Sequence, residues 1–416
     1  MVAIHRATDD AGEGAFLALR FKNVPGAVVL HDAPEIAIGL QRVLKGWPTG
    51  SARRPTDDSS PAVSEVRREG AAFRIESPWL DETLSGLPAA SAVCGVVADL
   101  VQSFYDGCPD ALALHCGAFL IDGRLVAMTG HARAGKSTFM ARLSAEPDLR
   151  ILCDDVLPLL ADDSAMGLGV APRLRLPLPD SATTAFRAHV AAHCQLRDEQ
   201  YGYVTAPTVA PFGTRAELSI LVVLDRRSEA DARLHHLPPA EAVRHLLAQN
   251  MAPVAPDAID ATVSRLLRLA ARLDCLRLVY SDLEPAVALV RLAFSGDTLP
   301  CASAKVHPAL PDPVPDHEGP AEPVALDTIW QRTPGNSMRR VHDEVFLWHI
   351  ETGEIYHLNP IAGAIWRLLE KPSSARRISA ILAEAFDTPD AEPIRQDVCR
   401  LLGGLVANGF LQRVGV

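Results

Sequence analysis

One short segment combines glycines, a lysine and a hydroxyl at the spacing of a phosphate-binding loop. The run GHARAGKS fits the pattern G-x-x-x-x-G-K-[ST] at Gly130, Gly135, Lys136 and Ser137. An apolar stretch, RLVAMT, precedes it and a helical pattern, KSTFMARL, follows, which is the strand–loop–helix context that the motif needs. We therefore predict a nucleotide-binding loop composed of Gly130, His131, Ala132, Arg133, Ala134, Gly135, Lys136, Ser137 and Thr138.

The residue types of this loop suit ATP and Mg²⁺. Glycines allow the backbone to approach a ligand closely, and loop amides at a helix N-terminus favour an anionic phosphate. Lys136 would reach the outer phosphates, and the hydroxyl of Ser137 would bind the metal ion. The alternative is a glycine-rich turn between a strand and a helix, with a surface lysine. The pattern does not distinguish ATP from GTP.

Two adjacent acids follow the loop closely. The run LRILCDDVLPLL is a short apolar strand that ends in Asp154 and Asp155. Two neighbouring carboxylates can divide the work of phosphoryl transfer, one holding the metal ion and the other accepting a proton from an attacking hydroxyl. They can also be turn-forming residues that end a strand. Upstream, His115 is expected on a strand beside the loop strand, where a structural histidine is the other interpretation.

His115, Gly117, the hairpin, the Gly130–Ser137 loop and the Asp154–Asp155 pair together resemble the C-terminal catalytic domain of HPr kinase/phosphorylase. The resemblance covers about residues 89–295 and is closer to the kinases of peptide-modification gene clusters, such as lasso-peptide clusters. It implies that Asp154 is a general base, that Asp155 binds metal with Ser137, and that His115 lies near the transferred phosphate. The roles of the two acids are interchangeable at this stage.

The same resemblance makes Arg173 and Arg175, in PRLRLP, candidates for substrate or phosphate contacts, with solvated loop charges as the alternative. The carboxylate-bearing glycine-rich motif that follows in HPr kinase itself is not found here. A second metal ligand and the reverse phosphorolysis reaction are therefore left open. Because HPr kinases are oligomers, the resemblance also implies a homo-oligomer.

The C-terminal region has a different pattern. VFLWHI and EIYHLN alternate as two strands around an ETG turn, and three helical segments follow, the first of them capped by Asn359 and Pro360. GEIYHLNPIAGAIWRLL and LVANGFL resemble the PqqD-like peptide-recognition domain, which binds a precursor's leader as an added strand. The resemblance implies a groove between the sheet edge and the third helix, lined by Phe346, Trp348, Ile355, Tyr356, Val398, Leu402 and Leu405; core packing is the alternative for each.

Composition excludes several other classes. The net charge of -11 disfavours nucleic-acid binding, and a winged-helix reader of DNA has little support in a nearly charge-balanced tail. No apolar run reaches the roughly 20 residues of a membrane span, and no signal segment is predicted. The eight cysteines form no C-x-x-C pair, which favours a reducing cytoplasm over a zinc or disulfide framework.

These patterns predict four parts: a small N-terminal α+β domain (1–88), an α/β P-loop catalytic domain like that of HPr kinase (89–299), a proline-rich linker (300–323) and a winged-helix-like PqqD domain (324–416). The two resemblances imply phosphorylation of a serine on a ribosomally made precursor peptide, held through its leader, alongside other maturation enzymes of a lasso-peptide-like pathway. One alternative is an NTP-hydrolysing chaperone of the precursor. The other is a regulatory kinase of a carrier protein or metabolite.

Overall fold

Alternating apolar and polar residues form sheets throughout this mixed α/β chain. The computed structural model describes residues 16–52, 62–131, 134–251, 258–296, 306–310, 322–349, 355–387 and 391–414. Two units are present. The larger contains residues 1–237, 248–252 and 272–309, and the smaller contains residues 238–247, 253–271 and 310–416.

The larger unit begins with a six-stranded sheet in the order β3-β1-β2-β4-β5-β6. Its elements are β1 (Phe16–Phe21), β2 (Ala27–His31), α1 (Pro34–Val43), β3 (Thr49–Ala52), β4 (Ala62–Glu69), β5 (Ala72–Glu76) and β6 (Leu84–Leu87). The patterns FLALRFKN and GAVVLHD predict strands, PEIAIGLQRVLKGW predicts a helix and AVSEVRREGAAFRIES predicts a hairpin, and all four are confirmed. Helix α2 (Ala89–Asp106) contributes Val93, Val96 and Phe104 to the same core as this sheet.

The rest of the larger unit contains a branched ten-stranded sheet and a separate three-stranded sheet in the order β13-β15-β14. Strands β7 to β12 are β7 (Leu112–His115), β8 (Gly117–Ile121), β9 (Arg124–Thr129), β10 (Arg150–Cys153), β11 (Val156–Leu159) and β12 (Ser164–Met166). Strands β13 to β19 are β13 (Arg173–Arg175), β14 (Leu196–Arg197), β15 (Tyr201–Tyr203), β16 (Arg215–Arg226), β17 (Arg233–His236), β18 (Asp274–Tyr280) and β19 (Val306–His307). The helices of this unit are α3 (Lys136–Leu143), α4 (Thr184–His193) and α7 (Leu283–Phe294). Helices α5 (Pro239–Gln249) and α6 (Ile259–Arg272), between them in the chain, lie almost wholly in the smaller unit.

The long strand β16 organises the branched sheet. Its first residues pair antiparallel with β12, while its later residues pair in parallel with β9 on one side and β18 on the other. Because parallel strands end at the same sheet edge, the ends of β9, β16 and β18 lie together. Apolar side chains such as Val126, Val222 and Leu278 fill the core beneath this part of the sheet. The edge therefore has a rigid base for the loop that follows β9.

The expected position of His115 beside the loop strand is wrong. The chain bends at Cys116, so His115 ends β7 and Gly117 starts β8. The strand beside β9 is β8. The Asp122–Gly123 pair between them predicts a tight turn, which positive φ angles of 45° and 77° confirm. His115 instead pairs with Val156 at the start of β11.

The smaller unit contains two three-stranded sheets and three helices from the C-terminal region. Its elements are β20 (Ile329–Arg332), β21 (Asn336–Val341), β22 (Glu344–His349), β23 (Ile355–Leu358), α8 (Pro360–Leu368), β24 (Ser373–Ser374), α9 (Ala375–Ala385), α10 (Glu392–Ala407) and β25 (Leu411–Arg413). Asn359 caps α8 by accepting a hydrogen bond from the Ala362 amide, which confirms the predicted cap. The predicted ETG turn lies outside the described residues.

Residues from the middle of the chain complete the smaller unit. Trp348 on β22 is fully buried and contacts Ile259 and Val263 of α6. Arg339 on β21 lies over the Trp348 ring, 5.8 Å from its centroid, and also reaches Asp260. The sheet β21-β22-β23 therefore buries one side chain against a helix that the sequence places about 80 residues earlier.

The predicted linker contributes structure at both of its described parts. Val306 and His307 form β19, which pairs in parallel with β17. Just beyond its other end, the Val324 amide donates to the Cys399 carbonyl of α10. A Cβ atom built on Gly403 would lie 2.2 Å from the Glu322 carbonyl oxygen, so the chain crosses this helix at a glycine.

This crossing predicts the effect of Gly403→Ala. In an ordinary helix the change would stabilise by roughly 1 kcal/mol. Here the methyl group would meet a backbone oxygen, so we expect a lower melting temperature in thermal denaturation, with a cost of about 1–3 kcal/mol. Gly50→Ala is the control, because nothing lies within 4 Å of its added Cβ. Equal melting temperatures for Gly403→Ala and wild type would contradict the predicted contact.

Candidate functional site

The glycine-rich loop lies at the sheet edge between β9 and α3. Gly130 and Gly135 have φ angles of 153° and 95°, a region that other residues rarely adopt. The Lys136 ammonium is buried and donates to the Gly130 carbonyl at 3.1 Å. Burial lowers the pKa of Lys136, and the charge of Asp155 opposes that shift. His131 is exposed, Ser137 and Thr138 are half-buried, and Ala132 and Arg133 lie outside the described residues.

The acid pair occupies the step between β10 and β11. These two strands belong to different branches of the sheet, so Asp154 and Asp155 lie where the branches meet. Asp154 is 4% exposed, whereas the Asp155 side chain is 56% exposed. Adjacent carboxyl groups therefore have very different surroundings.

The pKa of Asp154 is raised to about 7. Burial is the main cause, and the neighbouring charge of Asp155 acts in the same direction. The Arg173 amide opposes the shift, donating to Asp154 Oδ2 at 2.8 Å. The Asp154 carboxyl is therefore divided between its acid and carboxylate forms near neutral pH, which is the range in which a general base works best.

Asp155 has the opposite shift. His115 Nε2 lies 3.3 Å from Asp155 Oδ1, and this hydrogen bond is the main cause of the lowered pKa of Asp155. The charges of Arg173 and Lys136 contribute in the same direction. The pairing of His115 with Val156 brings the histidine to this acid. The structure thus places His115, Lys136, Asp154 and Asp155 in one site.

Arg173 and Arg175 differ in role although they are two residues apart. The Arg173 guanidinium is half-buried, donates to Cys94 Sγ, and stacks over the Tyr201 ring at 5.2 Å. Its charge lowers the pKa of Asp154, to which the Arg173 backbone amide donates, while Arg175 is exposed. Cys94 and Tyr201 carry no recognisable motif, so only their position in the fold associates them with the acid pair.

The predicted peptide-groove residues separate into two groups. Ile355 on the edge strand β23 is 37% exposed, and Tyr356 is half-buried with its hydroxyl bonded to Asn408 at the end of α10. The other five are buried in the smaller unit: Phe346, Trp348, Val398, Leu402 and Leu405. Ile355 and Tyr356 therefore remain predicted contacts, whereas the buried five shape the core.

The residues of this site can perform three chemical tasks. A buried lysine and loop amides can hold an anion, an ionised carboxylate can bind a cation, and a carboxyl group with a pKa near 7 can accept a proton. Among the described residues, no group of three or more His, Cys, Asp and Glu side chains is placed to hold a metal ion. No helix in the described ranges is long and apolar enough to cross a membrane.

Comparison with known families confirms the predicted C-terminal domain. Residues 344–411 match the family model described as Coenzyme PQQ synthesis protein D (PqqD). The chain therefore carries a PqqD domain that includes β22, β23 and the three helices α8, α9 and α10. No curated protein matches the sequence.

Two solved structures are similar to parts of the chain. TbiB1 in complex with the TbiA(β) leader peptide is 22% identical, with 21% of this chain and 96% of that chain covered and a TM-score of 0.19. The HPr(Ser) kinase/phosphatase from Coxiella burnetii is 14% identical, with 44% and 99% covered and a TM-score of 0.22. Both TM-scores are low, so the function has to be argued from the chain's own residues.

The raised pKa of Asp154 predicts a pH-dependent effect of Asp154→Asn on stability. In the folded state the Asp154 carboxyl keeps its proton up to about pH 7, whereas the ordinary pKa of an aspartate is 3.8. The stability that Asp154 contributes is therefore present below the ordinary value and is lost as the pH rises through about 7. The neutral variant escapes this loss, so its melting temperature relative to wild type should increase by a few degrees between about pH 5 and pH 8.

The control for this measurement is Glu82→Gln, which neutralises an exposed carboxylate in the same unit. Its melting temperature should track that of wild type at both pH values. If the difference between Asp154→Asn and wild type is the same at both values, the assigned environment of Asp154 is wrong.

Burial also predicts how two residues of the smaller unit respond to truncation. Trp348→Ala should cost about 3–5 kcal/mol, because it leaves a cavity against Ile259 and Val263. Ile355→Ala should cost less than about 1 kcal/mol, because this side chain is partly exposed at a sheet edge. Chemical denaturation of both variants tests this order, and a reversed order would contradict the packing described.

Proposed function

We propose that this protein transfers a phosphoryl group from ATP to a serine hydroxyl of a ribosomally made precursor peptide, in lasso-peptide-like biosynthesis. The peptide would be captured through its leader by the PqqD domain. The observation that carries the proposal is the position of Asp154, a buried carboxyl with a pKa of about 7 beside ionised Asp155 and Lys136. Phosphoryl transfer to a hydroxyl uses a residue that orients the acceptor and positive charge that holds the phosphates, and these residues could supply both.

The phosphate side of the reaction rests on the loop. Lys136 would exchange its hydrogen bond to the Gly130 carbonyl for the phosphate oxygens of the nucleotide. The Ser137 hydroxyl and the Asp155 carboxylate are oxygen donors of the kind that Mg²⁺ prefers, and these two residues would hold a magnesium ion. Bound magnesium would neutralise the charge of the transferred group.

The acceptor side rests on Asp154. Its carboxylate would accept the proton of the incoming serine hydroxyl and point that oxygen at the phosphate. The Arg173 amide holds one carboxyl oxygen in place, and the hydrogen bond from His115 keeps Asp155 ionised. The two acids thus divide proton transfer and charge neutralisation between them.

Peptide capture rests on strand β23. Among the described residues β23 is the last strand of its sheet, and the proposal places the leader as a further strand alongside it. The leader would pair with this edge and cover Ile355, while Tyr356 and Asn408 mark the adjoining end of α10. Capture raises the local concentration of the peptide's acceptor segment at the catalytic site.

The proposal predicts a specific change in the precursor peptide. Incubation of the precursor encoded beside this gene with the protein, ATP and Mg²⁺ should add the mass of one or more phosphoryl groups, with fragmentation placing them on serine. Asp154→Asn should lower the rate by at least about a hundredfold, because it removes the base. Mass spectrometry of the peptide is the measurement. ATP consumption with an unmodified peptide would reject the kinase and favour the chaperone.

Leader capture predicts the effect of Ile355→Ala. The variant should bind the leader peptide roughly five- to thirtyfold more weakly, because it loses apolar area covered by the added strand. Deleting residues 341–416 is a poorer test, since it would also uncover Ile259 and Val263 of α6. Isothermal titration with the leader gives the affinity. Unchanged affinity in Ile355→Ala would place the leader elsewhere and leave room for a carrier protein or metabolite as substrate.

A further inference from the structure

Tyr280 lies next to the glycine-rich loop although it is far from it in sequence. It is the last residue of β18, and its position is set by pairing with Arg226 at the end of β16. The side chain is 3% exposed. Its ring meets the Phe139 ring of α3 edge to face, with centroids 5.9 Å apart. The hydroxyl is therefore held in a fixed place by the sheet and by the helix that follows the loop.

The hydroxyl of Tyr280 donates to the Ala134 carbonyl at 2.7 Å. A Cβ atom on Gly135 would lie 3.0 Å from the same hydroxyl, so this tyrosine also leaves little space at that glycine. Burial raises the pKa of Tyr280 to about 12, which keeps the hydroxyl protonated and able to donate at neutral pH.

The Ala134–Gly135 peptide is trans, because the one cis peptide bond in the described residues is Leu176–Pro177. A trans peptide is planar, with its C=O and N–H groups pointing in opposite directions. Fixing the Ala134 carbonyl toward Tyr280 therefore fixes the Gly135 amide in the opposite direction. Gly135 can rotate more freely than other residues, so this amide needs an external constraint.

We infer that Tyr280 is a positioning residue that sets the direction of the Gly135 amide and thereby prepares the loop to bind the phosphates of a nucleotide. The inference rests on the proposed nucleotide-binding function of the loop. It assigns a role to a residue outside the loop motif, supplied by a parallel strand whose end lies at the same sheet edge. Tyr280 itself would touch no substrate.

The test is Tyr280→Phe, which keeps the ring that packs on Phe139 and removes the hydroxyl alone. The expected result is a roughly three- to tenfold weaker affinity for ATP with Mg²⁺, because one constraint on the loop amide is lost. Affinity is measured by isothermal titration at a temperature where circular dichroism shows each variant folded. Affinity for the leader peptide should stay unchanged, since that site belongs to the smaller unit.

The matched control is Tyr105→Phe. Tyr105 is another buried tyrosine of the larger unit, and its buried hydroxyl has no hydrogen-bond partner among the described residues. Its removal should leave ATP affinity within twofold of wild type. If wild type binds ATP and Tyr280→Phe binds equally well, the positioning role is wrong and the proposed function stands. If wild type itself binds no nucleotide, the proposed function fails, and the inference fails with it.

Discussion

Burial of one carboxyl group beside an ionised one is the interaction on which the candidate site depends. Asp154 is enclosed where two branches of the sheet meet, and Asp155 faces outward toward His115. Two adjacent carboxylates repel each other when both are ionised, which by itself favours a proton on one of them. The fold separates them by burial and by hydrogen bonding, so one has a pKa of about 7 and the other stays ionised.

The scaffold around this pair explains why the loop and the acids come together. Strand β16 is long enough to pair with two parts of the sheet. Its first residues pair with β12, next to the strand β11 that follows the acids, and its later residues pair with β9 and β18, where the glycine-rich loop begins. The glycine-rich loop therefore lies on a rigid sheet, with Tyr280 beside it. The PqqD domain lies in a separate unit, to which α6 from the middle of the chain also belongs.

Local patterns predicted the elements that carry their own signals. The Asp122–Gly123 turn, the Asn359 cap and the strands of the N-terminal sheet follow from residue types a few positions apart, and the PqqD domain follows from a compact motif. Contacts between distant residues were not predictable in this way. His115 against Val156, Arg173 against Cys94 and Trp348 against Val263 depend on how the chain returns to itself, which periodicity does not encode.

The central claim is that leader capture directs the phosphate of ATP to the peptide. The most direct measurement follows label from the γ-phosphate of ATP in a single turnover, with either the full precursor or a precursor lacking its leader. The account predicts label on serine of the full precursor and little on the leaderless peptide at the same concentration. Label released as free phosphate in both reactions would contradict it.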